Sequence, residues 1–182
     1  MTRTTILTRE QVPVDSQATL EGFEKFFGFV PNLFAVMAQS PHALAAFKGL
    51  QTPLQQTLDA DIRERIELAV SEVNGCEYRL RTHSYIGERF GKLDAAEMQM
   101  SQHGKSSDPK AEAAVLFVRK VTETSGKVSD ADLKAVRDAG WTDAEIIEII
   151  ALGVQFLYTN FVNNVFQIEI DFPTVEVVST EA

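Results

Sequence analysis

The sequence has a single cysteine, Cys76, among its 182 residues. One thiol cannot form an intrachain disulfide, which excludes the disulfide-stapled class of small secreted domains. It also excludes cysteine-rich zinc and iron–sulfur sites, because these need several thiolates. We therefore predict neither a metal nor a cofactor, and we expect the reducing environment of the cytoplasm.

Basic residues are also few, with 17 Lys and Arg against 26 Asp and Glu and a formal net charge of −9. This balance argues against nucleic acid and against an anionic membrane surface, since both recruit Lys and Arg. No apolar run approaches the roughly 20 residues that span a bilayer. Residues 1–10 lack the apolar core of a signal peptide, so we predict no membrane partner.

What the sequence does contain is helical periodicity in a chain that is 45% hydrophobic. At this length one domain is expected, with a core large enough to need no staple. The pattern predicts an all-α, single-domain helical bundle over residues 15–170, between an extended arm at 1–14 and a tail at 171–182. The β-rich patches in the arm and tail are too short to build a sheet.

Helix boundaries are indicated by local chemistry. Residues 62–73 repeat apolar side chains at three- and four-residue steps, and Asn74-Gly75 predicts the end of that helix. Thr142 and Glu145 form a capping-box pattern ahead of residues 146–165, whose apolar character on nearly all sides predicts a central or interface helix. Further helices are predicted over residues 18–27, 32–50 with a break at Ser40-Pro41, 76–90, 111–121 and from 129 to a stop at 140. Asp108-Pro109 is typical of an N-cap followed by a proline in the first turn.

Residues 64–83 contain the pattern that bears on chemistry: Glu64, then Cys76 twelve residues later, then His83. This segment resembles the alkylhydroperoxidase D-like and carboxymuconolactone decarboxylase superfamily, in which a second cysteine follows the first after two residues. Here that position is Arg79. The flanking segments 28–34 (GFVPNLF) and 169–173 (EIDFP) are similar to the entry and closing motifs of the peroxidase-related branch.

The resemblance implies an all-α fold that assembles as a homo-oligomer, a trimer or hexamer, with a buried site near a subunit interface. It further implies an antioxidant thiol peroxidase that acts on hydroperoxides. In such proteins the second cysteine is attacked by peroxide, the first resolves the product, and a His–Glu relay removes the thiol proton. With Arg79 in place of the second cysteine, the two-cysteine cycle cannot run in this chain.

Helix geometry places Arg79, rather than Cys76, within reach of His83. Seven residues separate Cys76 from His83, which is a rise of about 10 Å and too far for a hydrogen bond. Arg79 lies one turn from His83, at the ordinary distance of i, i+4 neighbours.

Three functions stay open at this point, and whether the chain is an enzyme stays open with them. Cys76 at a helix N-terminus beside Arg79 is expected to have a lowered pKa, which favours a weak one-cysteine peroxidase with an external thiol reductant. Alternatively, His83 and Glu64 act without a thiol as a lyase or isomerase on a small acid or lactone. The third hypothesis is a non-catalytic oligomeric or ligand-binding protein.

The predicted site residues are thus Cys76, His83 and Glu64 as catalytic groups, with Arg79 and Tyr78 as substrate-binding or electrostatic groups. Each also has a structural interpretation. Cys76 is expected as a small core residue, and Arg79 as a salt-bridge partner of Glu64 or Glu72. The acidic residues of this segment, Glu67 among them, are expected on a solvated helix face.

Overall fold

The computed structural model of the chain describes residues 2–90 and 93–173, apart from the side chains of residues 88–90. Within these ranges the regular structure consists of nine α-helices and no strand, so the predicted all-α class is confirmed. The helices are α1 (Val14–Phe27), α2 (Asn32–Met37), α3 (Pro41–Leu54), α4 (Ala60–Val73), α5 (Glu77–Phe90), α6 (Ala95–Gln102), α7 (Pro109–Thr124), α8 (Asp130–Asp138) and α9 (Asp143–Phe166).

Helix ends follow the caps that the sequence predicts. The side chain of Asp108 accepts from the backbone N–H groups of Lys110 and Ala111, ahead of a proline in the first turn of α7. Thr142 and Glu145 form both hydrogen bonds of a capping box at the start of α9. Gly75 stands between α4 and α5 with a φ of +58°, in the left-handed region that favours glycine.

Helix α6 was not predicted, although its signal was present in the sequence. Asp94 accepts a hydrogen bond from the backbone N–H of Glu97, as an N-cap residue does. The carboxylate of Glu97 then receives Arg65 of α4 at 3.0 Å and the backbone N–H of Ser107 at 3.1 Å. Because this carboxylate is buried, α6 is tied to its neighbours through one ionic centre.

Two apolar clusters build the interior. The first joins α4, α7, α8 and α9, with Ile66, Val118 and Ile149 fully buried in it. The second joins α1, α2, α3, the start of α5 and the segment after α9, and it is rich in phenylalanine. Helices α4 and α9 pack against each other and, between them, against α2, α3, α5, α6 and α7, so they lie at the centre of the fold.

Helix α9 has the length and composition of a membrane span, with a mean hydropathy of 1.4 over its most apolar window. The expectation from run lengths therefore missed it, because single polar residues interrupt the run without making the helix polar. In the fold α9 packs against α3, α4 and α7, and 44% of that window is buried. Packing against these helices accounts for the buried part of its apolar surface.

The chain ends are tied to the domain more closely than predicted. Arg3 N–H donates to Phe166 O across 2.7 Å, and α1 begins at Val14, the last residue of the predicted arm. Phe172 is only 4% exposed and packs edge-on against Tyr78, so the packed domain extends past the predicted boundary at 170. The predicted β-rich patch at 175–178 lies outside the described residues.

Candidate active site

A cavity of about 690 Å³ lies between the two apolar clusters. Its volume is in the range of pockets that take small organic molecules. Aromatic rings make up much of its wall, and its polar side is formed by α4, α5 and α9. Phe26, at 58% exposure, stands where the cavity meets the surface. The rings that line it are Phe23, Phe26, Phe27, Phe34, Phe47 and Phe156.

His83 and Glu64 line this cavity and contact each other. Nδ1 of His83 lies 2.6 Å from Oε2 of Glu64. The pair is formed because α4 and α5 pack together in antiparallel fashion around the Gly75 turn, so a residue near the start of α4 meets one from the second turn of α5. The structure therefore brings together the two residues that the spacing paired, and their catalytic role stays a prediction.

Arg79 lines the same cavity and is held from behind by Glu67. Its Nε and Nη2 donate to the two carboxylate oxygens of Glu67 at 2.9 Å and 3.0 Å, a bidentate geometry. Glu67 is fully buried, and Ser71 adds a third hydrogen bond to it at 3.1 Å. The prediction that Arg79 pairs with Glu64 or Glu72 is therefore wrong. The prediction that Glu67 lies on a solvated helix face is also wrong.

The contact between Arg79 and His83 determines the tautomer of the histidine. Nη2 of Arg79 lies 2.6 Å from Nε2 of His83. A guanidinium only donates, so Nε2 must accept with its lone pair. The ring proton of the neutral imidazole is then on Nδ1, where it is donated to Glu64. The cavity thus contains an imidazole whose basic nitrogen is Nε2 and whose orientation is fixed by a carboxylate.

The electrostatics around this dyad keep the carboxylate ionised. Burial raises the pKa of Glu64, but the electrostatic attraction and hydrogen bond of the adjacent His83 ring, together with nearby Arg79 and Arg63, outweigh burial and leave the pKa below its usual value. Burial likewise lowers the pKa of Arg79, yet the Glu67 carboxylate more than offsets this and keeps it above the usual value. Both groups are therefore charged near neutral pH.

Cys76 is the predicted site residue that the structure separates from the cavity. Its side chain is fully buried in the phenylalanine-rich cluster and is not among the residues that line the cavity. Burial raises the pKa of the Cys76 thiol, and the backbone N–H and charge of Arg79 only partly counter it. The expectation of a lowered pKa is wrong, because desolvation exceeds the effect of a helix terminus.

Tyr78 also points away from the cavity. Its hydroxyl donates to Asp171 across 2.7 Å and accepts from the backbone N–H of Leu33 at 3.2 Å. Burial and the adjacent Asp171 carboxylate both raise the pKa of this phenol. Tyr78 thus fastens the segment after α9 to α2, and the substrate-binding position predicted for it is not where the structure places it.

The fold is similar to that of several solved structures. An uncharacterised peroxidase-related protein from Ralstonia eutropha JMP134, described as an alkylhydroperoxidase AhpD core, matches with a TM-score of 0.82 and 26% identity over 93% of this chain and 92% of that one. A second uncharacterised peroxidase-related protein, from Silicibacter sp. TM1040, matches with a TM-score of 0.74 and 22% identity over 92% and 91% of the two chains.

A third match is the debrominase Bmp8, solved as a cysteine-to-alanine variant in complex with 2,3,4-tribromopyrrole. It has a TM-score of 0.78 and 20% identity over 94% of each chain. No protein-family model and no curated protein matches the sequence. The similarity of the fold over nearly the full length of both chains defines an alkylhydroperoxidase-like helical domain. The chain belongs to the alkylhydroperoxidase D-like superfamily, as its sequence motifs predicted.

Proposed function

We propose that this protein is a thiol-independent enzyme, an isomerase or lyase, that transfers a proton on a small organic acid or lactone through His83. The observation that carries the proposal is the placement of the two reactive groups. His83 lies on the cavity wall with Nε2 as its basic nitrogen, whereas the only thiol of the chain is buried outside the cavity.

The proton transfer uses His83 as the base and Glu64 as the group that orients it. Nε2 takes a proton from a carbon next to the substrate's carbonyl, and the electrons of the C–H bond pass into the carbonyl to form an enolate. The imidazolium is stabilised by Glu64 at Nδ1 and by Glu67, whose Oε2 lies 3.5 Å from Nε2. The imidazolium, whose proton exchanges with solvent, then protonates another carbon, which completes an isomerisation. Alternatively, the enolate electrons expel a leaving group from the β-carbon, and the imidazolium protonates that group, which completes an elimination.

Cationic side chains on the cavity wall favour an acidic substrate, although the protein as a whole is acidic. Lys48 and Arg63 line the cavity together with Arg79, and Glu64 is the one carboxylate among the described lining residues. Arg79 uses Nε and Nη2 for Glu67 and His83, and its Nη1 has no hydrogen-bond partner in the described part of the chain. A substrate carboxylate bound there competes for the guanidinium and frees the lone pair of Nε2.

The aromatic wall favours a flat substrate body. Phe23 and Phe34 stack with ring centroids 3.6 Å apart, so the wall presents extended aromatic surface rather than flexible aliphatic chains. The debrominase that shares the fold is solved with a flat heterocycle, tribromopyrrole, which supports the same ligand shape for this cavity.

The antioxidant thiol peroxidase that the resemblance implies is the alternative. It requires peroxide and an external thiol reductant to reach Cys76, which is fully buried among apolar side chains. A pocket closed by a bridge between Arg79 and Glu64, with no ligand space beside Cys76, would favour the non-catalytic alternative. Cys76 does lie outside the cavity, but Arg79 is bound to Glu67 and the cavity beside His83 is open, which supports an enzyme.

Assembly as a trimer or hexamer in the cytoplasm is part of the proposal. Ile147, Val154 and Phe161 recur at seven-residue steps on one side of α9 and are each at least half exposed. An apolar stripe of this kind fits a subunit interface. Light scattering coupled to size exclusion measures the oligomer directly, and a monomer at micromolar concentration contradicts this part.

The proposed chemistry is tested by hydrogen–deuterium exchange at carbon. Purified protein is incubated in D₂O with a panel of small 2-oxo acids, unsaturated acids and lactone acids, and loss of C–H signal is followed by proton NMR. We expect at least one substrate to exchange, with a loss of about 10²-fold or more in His83→Gln. His103→Gln, the same change at an exposed histidine outside the cavity, is the matched control. No exchange on any member, or exchange that survives in His83→Gln, contradicts the proposal.

A further inference from the structure

A buried amide on α9 faces the cavity without a hydrogen-bond partner. Gln155 is 4% exposed, lines the cavity, and its side chain makes no hydrogen bond within the described part of the chain. Buried polar groups nearly always have a hydrogen-bond partner, because burying one without a partner costs free energy: its hydrogen bonds to water are lost and not replaced. A partner for Gln155 is therefore expected to come from what fills the cavity.

Other buried amides on the same helix are occupied, at least in part, by the protein itself. Asn163 donates to the carbonyl of Thr159 across 3.0 Å, and Oδ1 of Asn160 lies 3.3 Å from the Ser71 hydroxyl, while Nδ2 of Asn160 and Oδ1 of Asn163 have no partner among the described residues. Both residues lie outside the cavity lining. The polar residue of α9 that lines the cavity is thus the one whose donors and acceptor are both unused.

Gln155 lies on the same face of α9 as a residue that packs beside the base. Leu152, Gln155 and Phe156 stand at i, i+3 and i+4 positions, so they share the face of α9 that closes the cavity. The ring of Phe156 lies 6.1 Å from the ring of His83, centroid to centroid. A molecule that contacts Nε2 of His83 therefore lies against this face of α9.

We propose that Gln155 selects the substrate by hydrogen-bonding the carbonyl or hydroxyl oxygen of a flat, unsaturated oxo-acid or hydroxy-acid. The inference rests on the proposed function, because it names the substrate class of that same cavity. When His83 removes the proton, negative charge develops on this oxygen, and the N–H group of Gln155 stabilises it. The carboxylate of the substrate is bound by the cavity cations, and its flat body lies against the phenylalanine rings.

Binding of simple probes tests the inference independently of turnover. Benzoate and the three monohydroxybenzoates are titrated by calorimetry into wild type and into Gln155→Met, which keeps the length of the side chain and removes its polar atoms. We expect one hydroxybenzoate to bind wild type about three- to tenfold tighter than benzoate, as one hydrogen bond provides. Gln155→Met removes this gain and leaves benzoate affinity unchanged.

Folding is controlled within the same experiment. Because Gln155 has no partner among the residues that the structure describes, Gln155→Met is expected to keep or raise the melting temperature. Gln99→Met, the same substitution at an exposed position of α6, is the matched control and should retain the hydroxyl preference. A preference that survives in Gln155→Met overturns the inference, as do equal affinities for all four probes in wild type and failure of all four to bind.

Kinetics distinguish this inference from the proposed function. On a substrate that exchanges, Gln155→Met should lower kcat by about 10²-fold or more with a smaller change in KM, because the charge forms in the transition state. If no substrate exchanges while the hydroxyl preference still depends on Gln155, the proposed function fails and the ligand class stands. If exchange proceeds through His83 but is indifferent to Gln155→Met, the inference fails alone.

Discussion

Arg79 donates to Nε2 of His83 across 2.6 Å, at the position where the superfamily's redox members have their second cysteine. The guanidinium of Arg79 can only donate hydrogen bonds, so Nε2 of His83 must be the acceptor in this contact. A thiol that a base would deprotonate is therefore replaced by a cation that donates to the base and fixes its orientation.

The tautomer of His83 is the first consequence that can be measured. With its side chain labelled with nitrogen-15, His83 should show a protonated Nδ1 and an unprotonated Nε2 near neutral pH, because Arg79 cannot accept a hydrogen bond. Substituting Arg79→Met removes the donor and should allow a mixture of the two tautomers. A protonated Nε2 in wild type contradicts the contact with Arg79.

The buried pair of Arg79 and Glu67 makes a prediction about stability. Removing one partner leaves a buried charge, so Arg79→Met should lower the free energy of unfolding by about 3–5 kcal/mol in denaturant titrations. Adding Glu67→Gln to Arg79→Met removes the stranded charge and should recover part of that loss. A double variant less stable than the sum of the two single changes contradicts the pairing.

Features set by neighbouring residues can be predicted from the sequence more readily than contacts between helices. The caps at Asp108 and Thr142 are set by neighbouring residues, so they could be predicted and are confirmed. The partner of Arg79 depends on how α4 and α5 are rotated against each other, and the sequence pointed to Glu64 or Glu72 instead of Glu67.

Gln155 and the environment of Cys76 were beyond the sequence for the same reason. One glutamine in an apolar helix carries no local signal that it faces a cavity, and only the packing of α9 against α5 reveals it. For Cys76, helix position and a nearby arginine were visible in the sequence, whereas the apolar side chains that enclose the thiol come from distant segments. The larger effect, desolvation, was the one that the sequence could not supply.

Cys76 should react slowly as a thiol. Because it is fully buried and burial raises its pKa, the native protein should react with a disulfide reagent or iodoacetamide at pH 7 far more slowly than the unfolded chain. The chain has one cysteine, so absorbance or mass reports on it alone. Native labelling as fast as that of the unfolded chain contradicts the buried placement.

Glu97 makes a prediction about acid stability. Burial raises its pKa, but hydrogen bonds from Ser106, Ser107 and Arg65 outweigh burial and hold the pKa at about 2, against an ordinary 4.5. The ionised carboxylate thus stabilises the fold fully above about pH 4.5, and this contribution is lost as the pH falls toward 2.

Substituting Glu97→Gln tests that sign. We expect a loss of about 1–3 kcal/mol at pH 7 and a difference from wild type that shrinks as the pH is lowered from 5 to 2.5, measured by thermal unfolding. Glu77→Gln, at a carboxylate 75% exposed, is the control and should change little at either pH. A Glu97→Gln penalty that grows in acid contradicts the assignment.

Cys76→Ala decides whether His83 or the thiol does the chemistry. The variant and wild type are assayed side by side for exchange of substrate C–H in D₂O and for consumption of an organic hydroperoxide with an external thiol. Exchange should be unchanged within about twofold, and neither protein should consume hydroperoxide above the rate of the thiol alone. Hydroperoxide consumption by wild type that Cys76→Ala abolishes would show instead that the thiol is the reactive group.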